Sequence, residues 1–542
     1  MQGLMMGAPL LISSLLTHAS RHHGETEIVS RRVEGDIHRY TWRDCDRRAR
    51  QVGNVLKGLG VKPADRVATL AWNGHRHLET YFAVSGIGAV LHTVNPRLFP
   101  EQIAWIVNHA NDQAMLFDTT FAPIIEAIAP LCPSVRHWIA FCDRARMPTG
   151  GTAQLLCYED LMSTASADLS WPEMDETTAS SICYTSGTTG NPKGVLYSHR
   201  STVLHSFASG MPDALCLSAR DVVLPVVPMF HVNAWGLPYS CAMVGAKLVL
   251  PGPGLDGKSL FELFENERVT LSAGVPTVWL GLLNYVRQNN LKFSTMRRTV
   301  IGGSACPPAM LASFQEDYGV QVLHAWGMTE MSPIGTCGVL KAKHDALSTA
   351  EKQAVQSKQG RAIFGVDLKI VDEKGDELPW DGVAYGDLLV KGPWVVSEYF
   401  RGEGGNPLRD GWFPTGDVAT IDADGFVHIT DRSKDVIKSG GEWIGSIDLE
   451  NIAMSHPAVA MAAVIAVRHP KWDERPLLVV VKKPEIEVTR EELLGHFDGR
   501  IAKWWTPDDV VFVEAIPLGA TGKMLKNKLR ERFKDYILPT AA

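Results

Sequence analysis

Between Tyr40 and about Thr430 the chain alternates helical and strand-like hydrophobic patterns, and this alternation constrains the fold more than any other feature. Residues 41–59 place Val52, Val55, Leu56 and Leu59 on one face and predict a helix. Residues 66–72 (RVATLAW) read as a buried strand, 77–88 as a helix and 89–93 as another short strand. The unit recurs with strands at 222–227 and 247–250 and a helix after Trp235. Strands alternating with helices imply parallel sheets covered on both faces.

A compositional break falls near Asp431. Residues 431–445 (DRSKDVIKSGGEWIG) are polar and carry glycines, and read as a linker plus a loop. Beyond them, 459–467 and 477–481 predict strands around a charged turn, 491–505 a helix and 510–515 a strand. A chain of 542 residues is too long for one core. The expected architecture is α/β, with a large N-terminal domain of parallel or mixed sheets (1–430), a hinge (431–434) and a smaller, mobile α+β domain (435–542).

Composition narrows the function. Hydrophobic residues at 45% and charged residues at 21% are ordinary for a soluble globular protein. A net charge of -7 leaves no basic excess to neutralise nucleic-acid phosphates. Nine cysteines, at 45, 132, 142, 157, 183, 216, 241, 306 and 337, form no CxxC pair, which argues for reduced thiols in a cytoplasm. The apolar run 8–16 follows no Lys or Arg and is too short to span a bilayer. It predicts an amphipathic helix packed on the body, and no other run reaches spanning length.

Four segments carry chemistry. In YTSGTTGNPKG (184–194), ten of eleven residues are Gly, Pro, Ser, Thr, Asn or Lys. Such a loop exposes backbone N–H groups, adds the hydroxyls of Thr185, Ser186, Thr188 and Thr189, and brings the charge of Lys193, which suits a triphosphate. It is not the P-loop pattern, because Gly194 rather than Ser or Thr follows Lys193. In HAWGMTE (324–330), Glu330 can hold Mg²⁺ and Trp326 offers a face for a purine. In 411–432, Asp417 sits in a glycine turn and can accept the hydroxyls of a ribose, with Arg432 as a second contact and Asp424-Gly425 as a hairpin turn. In PLGATGKMLKNKLR (517–530), Lys523 can stabilise charge growing at a reacting carboxylate and α-phosphate. By position alone the better reading is a solvated basic face with Lys526, Lys528 and Arg530.

In this order and spacing the four segments resemble the adenylate-forming acyl-CoA synthetases, over about residues 10–535. PMFHVNAWG, AGVPTVWLGLL, IGGSACPP and DVIKSGGEWI are similar to the fatty-acyl-CoA synthetase branch and to the methylmercaptopropionate-CoA ligases within it. The resemblance implies ATP, Mg²⁺ and coenzyme A as ligands and a homodimer. It implies that Thr185, Ser186, Gly187, Thr188, Thr189, Gly190 and Lys193 hold the β,γ-phosphates. Glu330, with Thr185 or Thr329, would hold Mg²⁺. Gly303, Ser304 and Ala305 would flank adenine with Trp326, Gly327 and Met328. Asp417 and Arg432 would hold the ribose, Lys523 would drive adenylation, and Lys434 would be the hinge. His231, Val232, Trp235 and Gly302 would line the acyl channel, with Trp235 as its gate. Gly440, Gly441, Glu442 and Trp443 would border the pantetheine tunnel. Two positions depart from the commoner family residues. Trp326 replaces a Tyr, which predicts loss of a phenolic hydrogen bond, and Gly445 replaces a Ser, which predicts a looser loop.

The implied reaction joins a carboxylic acid to AMP with release of pyrophosphate, and then to coenzyme A. The candidate channel residues are mostly apolar and include no Arg or Lys, so an apolar acid fits, with aliphatic, methylmercaptopropionate-like and aryl acids all open. An adenylating enzyme with a non-CoA acceptor and a non-catalytic nucleotide-binding regulator are the rival classes. Retention of Lys523, Glu330 and Asp417 weighs against the regulator.

Overall fold

The computed structural model describes residues 1, 3–149, 151, 153–185, 191–440, 442–484, 486–519 and 523–541, with the side chain of Glu442 excepted. Two large sheets form the N-terminal body. In the first, the order is Arg361–Ala362, Ile334–Cys337, Gln321–Gly327, Arg298–Ile301, Leu271–Gly274, Val222–Pro225, Lys247–Leu250, Glu27–Arg31 and Ile37–Thr41. Its interior pairings are parallel and its edges antiparallel. In the second, the order is Leu155–Cys157, His137–Ala140, Asp112–Phe117, Arg66–Leu70, Val90–Thr93, Ala179–Tyr184 and Gly194–Ser198, with only the last pair antiparallel. An antiparallel sheet of Asp367–Val371, Tyr385–Lys391, Phe413–Ile421 and Val427–Arg432 completes the body.

Helix Trp42–Gly58 shows why the alternation was readable. Thr41 caps it by accepting from Asp44 N, and Asp44 returns the contact to Thr41 N, a reciprocal capping box. Its apolar face buries Trp42, Cys45, Ala49, Val52 and Leu56. The N-terminal helix starts later than the run 8–16 predicts, at Ile12, and buries Ile12, Leu15, Leu16 and Ala19. Among the described residues no helix is long and apolar enough to cross a membrane.

The C-terminal domain has its own sheet of Glu442–Ile444, Ile437–Ser439, Asp473–Lys482, Val459–His469 and Asp509–Phe512. Helices Ser446–Met454, Arg490–Gly495 and Lys526–Arg532 accompany it. Three expectations are corrected here. The segment after Asp431 is not plain linker: Ile437–Ser439 and Glu442–Ile444 pair as a hairpin. The helix expected over 491–505 ends at Gly495, and Gly499 at φ +72° lies in the break before a short turn at Lys503–Trp505. Lys526 is not on a solvated face. It is buried, with its ammonium 2.8 Å from Glu450, while Arg530 pairs with Asp435.

Candidate active site

The site is assembled where the two N-terminal body sheets, the antiparallel sheet and the C-terminal domain meet. Strand Ala179–Tyr184 delivers the chain to Thr185, and strand Gly194–Ser198 carries it away antiparallel. Thr185 N donates to Lys193 O at 2.9 Å, and Lys193 N to Thr185 Oγ1 at 3.4 Å, closing the base of the loop. Ser186, Gly187, Thr188, Thr189 and Gly190 lie outside the described residues. Lys193 Nζ sits 4.7 Å from the centre of the Tyr399 ring.

Strand Gln321–Gly327 ends in the HAWGMTE segment, followed by a single turn at Thr329–Met331 that orients Glu330. Tyr399 donates its hydroxyl to Glu330 Oε1 at 2.9 Å. Tyr197 donates to Thr329 O at 2.6 Å and fixes the same turn from below. Burial raises the pKa of the Glu330 carboxyl, and the Tyr399 hydrogen bond, Arg432 and Lys523 work against that rise. A carboxylate so placed favours a cation beside it. Sequence reading missed Tyr399 and Tyr197, since nothing local to SEYF or VLYS marks them.

Asp417 does not occupy a glycine turn, as the sequence suggests. It lies within the long strand Phe413–Ile421 and pairs across to Arg432. Its buried carboxylate accepts from Trp326 Nε1 at 2.9 Å and lies 3.0 Å from Arg432 Nε. The indole therefore supplies a hydrogen bond of its own where the sequence comparison predicted a loss. Burial raises the Asp417 pKa, opposed by Arg432, Trp326 and Lys523.

Lys523 precedes the helix Lys526–Arg532 and lies within electrostatic reach of this cluster. Its ammonium interacts with Arg432, Asp417 and Glu330, and it depresses His231 in turn. The residue as a whole is exposed, while protein packed around the ammonium desolvates it. That surrounding, then Arg432, lowers its pKa from the usual lysine value, while Asp417 and Glu330 oppose the shift.

The residues expected on the acyl side sit on an unusual turn. Val232, Asn233, Ala234 and Trp235 all have positive φ, from +46° to +56°, a left-handed turn that costs about 1–2 kcal/mol per residue. Buried Asn233 restrains it by donating to Ser181 Oγ at 3.0 Å. The regular helix starts only at Leu237. The turn lays Trp235 against Gly302, where an added Cβ would lie 3.1 Å from the indole and 2.8 Å from Ala325 O. Burial pushes His231 down to about 4, so its imidazole is neutral at pH 7.

Next to this turn, Gly303 and Ser304 are exposed and Ala305 is half-buried. His324, which the sequence gave no role, holds the end of that loop: Cys306 N donates to its Nε2 at 3.2 Å, and its Nδ1 bonds Ser357 O at 3.0 Å. Burial lowers its pKa to about 4. Gly327 packs against Pro333 O with no room for a Cβ, and Met328 N donates to Pro333 O.

On the C-terminal side, Asp431 accepts from Ser446 N at 2.8 Å, and burial lowers the Lys434 pKa. Gly440 turns at φ +61° under the Trp472 ring. Trp443 lies 5.5 Å from Tyr385 and 5.2 Å from Lys438 Nζ. Gly441 and the Glu442 side chain are not described. Gly445 is not loose: a Cβ there would stand 2.9 Å from Thr430 O, so the chain is tightly packed at that point.

The fold and this constellation define an AMP-binding enzyme. The chain belongs to that family, whose profile "AMP-binding enzyme" matches residues 15–400 and whose "AMP-binding enzyme C-terminal domain" matches 448–523. It is 57% identical to a 3-methylmercaptopropionyl-CoA ligase of Ruegeria lacuscaerulensis, over 99% of this chain and 100% of that one. It is 53% identical to a medium-chain-fatty-acid–CoA ligase of Ectopseudomonas oleovorans, over 100% of this chain and 99% of the other. A solved anthranilate CoA ligase in complex with anthranoyl-AMP superposes with a TM-score of 0.86 at 25% identity, covering 97% of this chain and 98% of that one.

Proposed function

We propose that the protein is an ATP-dependent acyl-CoA ligase that activates an apolar carboxylic acid through an acyl-adenylate. The observation that carries this reading is the Asp417–Arg432 pair, with Lys523 in electrostatic reach of both and of Glu330. In the first half-reaction the acid's carboxylate attacks the α-phosphorus of ATP and pyrophosphate leaves. Asp417 holds the ribose, Trp326 and the 303–305 loop flank adenine, and Thr185 and Lys193 with the phosphate loop hold the β,γ-phosphates. The Lys523 ammonium lies where charge grows on the α-phosphate and on the attacking carboxylate. Glu330 and Thr185 would hold Mg²⁺, which supplies charge neutralisation on the phosphates.

In the second half-reaction the coenzyme A thiolate attacks the acyl carbon and AMP leaves. Lys523 has no part there, so the 435–542 domain turns about Lys434 and brings Gly440, Gly441, Glu442 and Trp443 to the pantetheine path. The acid enters past Trp235 into a channel walled by neutral His231, Val232 and Gly302. Similarity to ligases of 3-methylmercaptopropionate and medium-chain fatty acids supports a short or medium apolar acid. Free cysteines, buried except for Cys216, support a cytoplasmic enzyme, which we take to be a homodimer.

The test is a panel of acids (acetate, butyrate, hexanoate, octanoate, palmitate, methylmercaptopropionate and cinnamate) with ATP, Mg²⁺ and coenzyme A, reading AMP and thioester by chromatography. An optimum at methylmercaptopropionate or the medium-chain acids supports the reading. AMP without thioester moves the acceptor away from coenzyme A, and a cinnamate optimum moves the acid to the aryl class.

A further inference from the structure

His109 stands outside every residue given a role above, yet it joins two parts of the nucleotide site. It lies near the end of helix Pro100–Ala110. Its Nδ1 is 2.6 Å from the Tyr184 hydroxyl, and its Nε2 is 3.0 Å from Glu403 Oε1. Trp105 stacks on the ring at 4.7 Å and 8°, and Phe400 meets it edge-on at 5.7 Å. The imidazole is thus held on its faces and at both nitrogens. A neutral ring satisfies both bonds at once: Tyr184 O–H donates to Nδ1, and Nε2–H donates to the Glu403 carboxylate.

What these two bonds connect gives them meaning. Tyr184 is the last residue of the strand that enters the phosphate loop, and it pairs with Gly194 at the loop's exit. Glu403 belongs to segment 399–405, which packs on the same loop base from the other side. Tyr399 of that segment bonds Glu330 and lies under Lys193. Phe400 Cβ is 3.1 Å from where a Gly194 Cβ would project, and Lys193 Nζ is 2.7 Å from where a Gly404 Cβ would project. Arg401, Gly402, Gly404 and Gly405 all have positive φ, and the segment's own backbone bonds are short turns, Gly402 N to Tyr399 O at 2.9 Å and Gly405 N to Gly402 O at 3.1 Å. Its placement depends on tethers outside itself.

We infer that His109 is a positioning residue for ATP: the Glu403–His109–Tyr184 chain latches segment 399–405 onto the base of the phosphate loop and so fixes Lys193, Tyr399 and Glu330 relative to one another. The inference rests on the proposed reading of this loop as the ATP phosphate cradle. It predicts an effect on ATP that leaves the acid side, built around Trp235, untouched.

The test uses the full-length protein and the variants His109→Ala, Glu403→Ala, their double mutant and His109→Gln. Readouts are Mg-ATP binding by calorimetry, KM for ATP, KM for the acid and thermal melting. Each single variant is expected to weaken ATP binding and raise KM for ATP about tenfold, with KM for the acid within twofold. The double mutant is expected to be no worse than the weaker single, because both cut one chain. His109→Gln keeps a donor and an acceptor and is expected to recover part of the loss. Glu403→Ala removes the acceptor from a side chain that is 29% exposed and keeps the test valid should His109→Ala fold poorly. Unchanged ATP binding in both singles, multiplicative losses in the double, or equal rises in both KM values would overturn the latch. A wild type that binds ATP but forms no AMP would instead refute the ligase reading, and the binding data would still decide the latch.

Discussion

Trp326→Phe isolates one hydrogen bond at the centre of the proposed nucleotide site. The substitution keeps an aromatic face and deletes the indole N–H that donates to Asp417 at 2.9 Å. The Asp417 side chain is only 5% exposed, so water replaces that donor poorly. A hydrogen bond to a charged group contributes about 1.5–3 kcal/mol. Arg432 remains 3.0 Å from the other oxygen, favours the charged carboxylate and keeps it oriented, which points to the lower end of that range. A loss of about 1.5 kcal/mol corresponds to roughly a tenfold rise in KM for ATP. The same deletion removes a bond to the charged form of Asp417, so its pKa rises further and the acid limb of the pH–rate profile moves to higher pH. Pyrophosphate release at saturating acid, measured across pH, reads both effects, and a melting curve reports any cavity left by the smaller ring. A KM for ATP within twofold of wild type, with an unmoved acid limb, would refute the claim that Trp326 orients the ribose-binding carboxylate.

Lys523→Ala is expected to slow adenylation by about 10²–10³-fold and to leave thioester formation from a supplied acyl-adenylate largely intact; equal loss in both half-reactions contradicts the role. Lys526→Met strands the Glu450 carboxylate, which is buried and 2.8 Å from the lost ammonium, and is expected to cost about 3–5 kcal/mol in chemical denaturation. His205 is buried, accepts from Ile334 N at 3.1 Å, and has its pKa pushed down from 6.5 to about 3. The unfolded state therefore binds the proton first, so this contribution is whole above about pH 6.5 and is lost as pH falls toward 3. His205→Gln should flatten the stability–pH curve in that window by up to about 1.4 kcal/mol per pH unit, measured by denaturant titration at several pH values.

Features set by neighbours along the chain were legible in the sequence. Thr41 and Asp44 mark a helix start whatever packs on it, and the strand at 247–250 is observed with the same bounds. The alternating pattern announced the two large sheets because a buried parallel strand is apolar along its whole length. Features set by distant partners were not legible. Trp326 and Asp417 are 91 residues apart, so no local pattern shows that one completes the other. Lys526 looked solvated beside Lys528 and Arg530 because Glu450 lies far upstream. Asp417 looked like a turn residue because Gly416 precedes it, whereas Gly416, at φ +72°, sits inside a strand whose register shifts between Val418 and Ala419. Tyr399 and His109 carried no motif at all, and only the fold brings them to the phosphate loop.

The central claim is that this site makes an acyl-adenylate, and ATP–pyrophosphate exchange without coenzyme A tests it most directly. The account predicts exchange that depends on Mg²⁺ and on an apolar acid, and that Lys523→Ala suppresses. Exchange that ignores the acid, or its absence with every acid in the panel while Mg-ATP still binds, would contradict it.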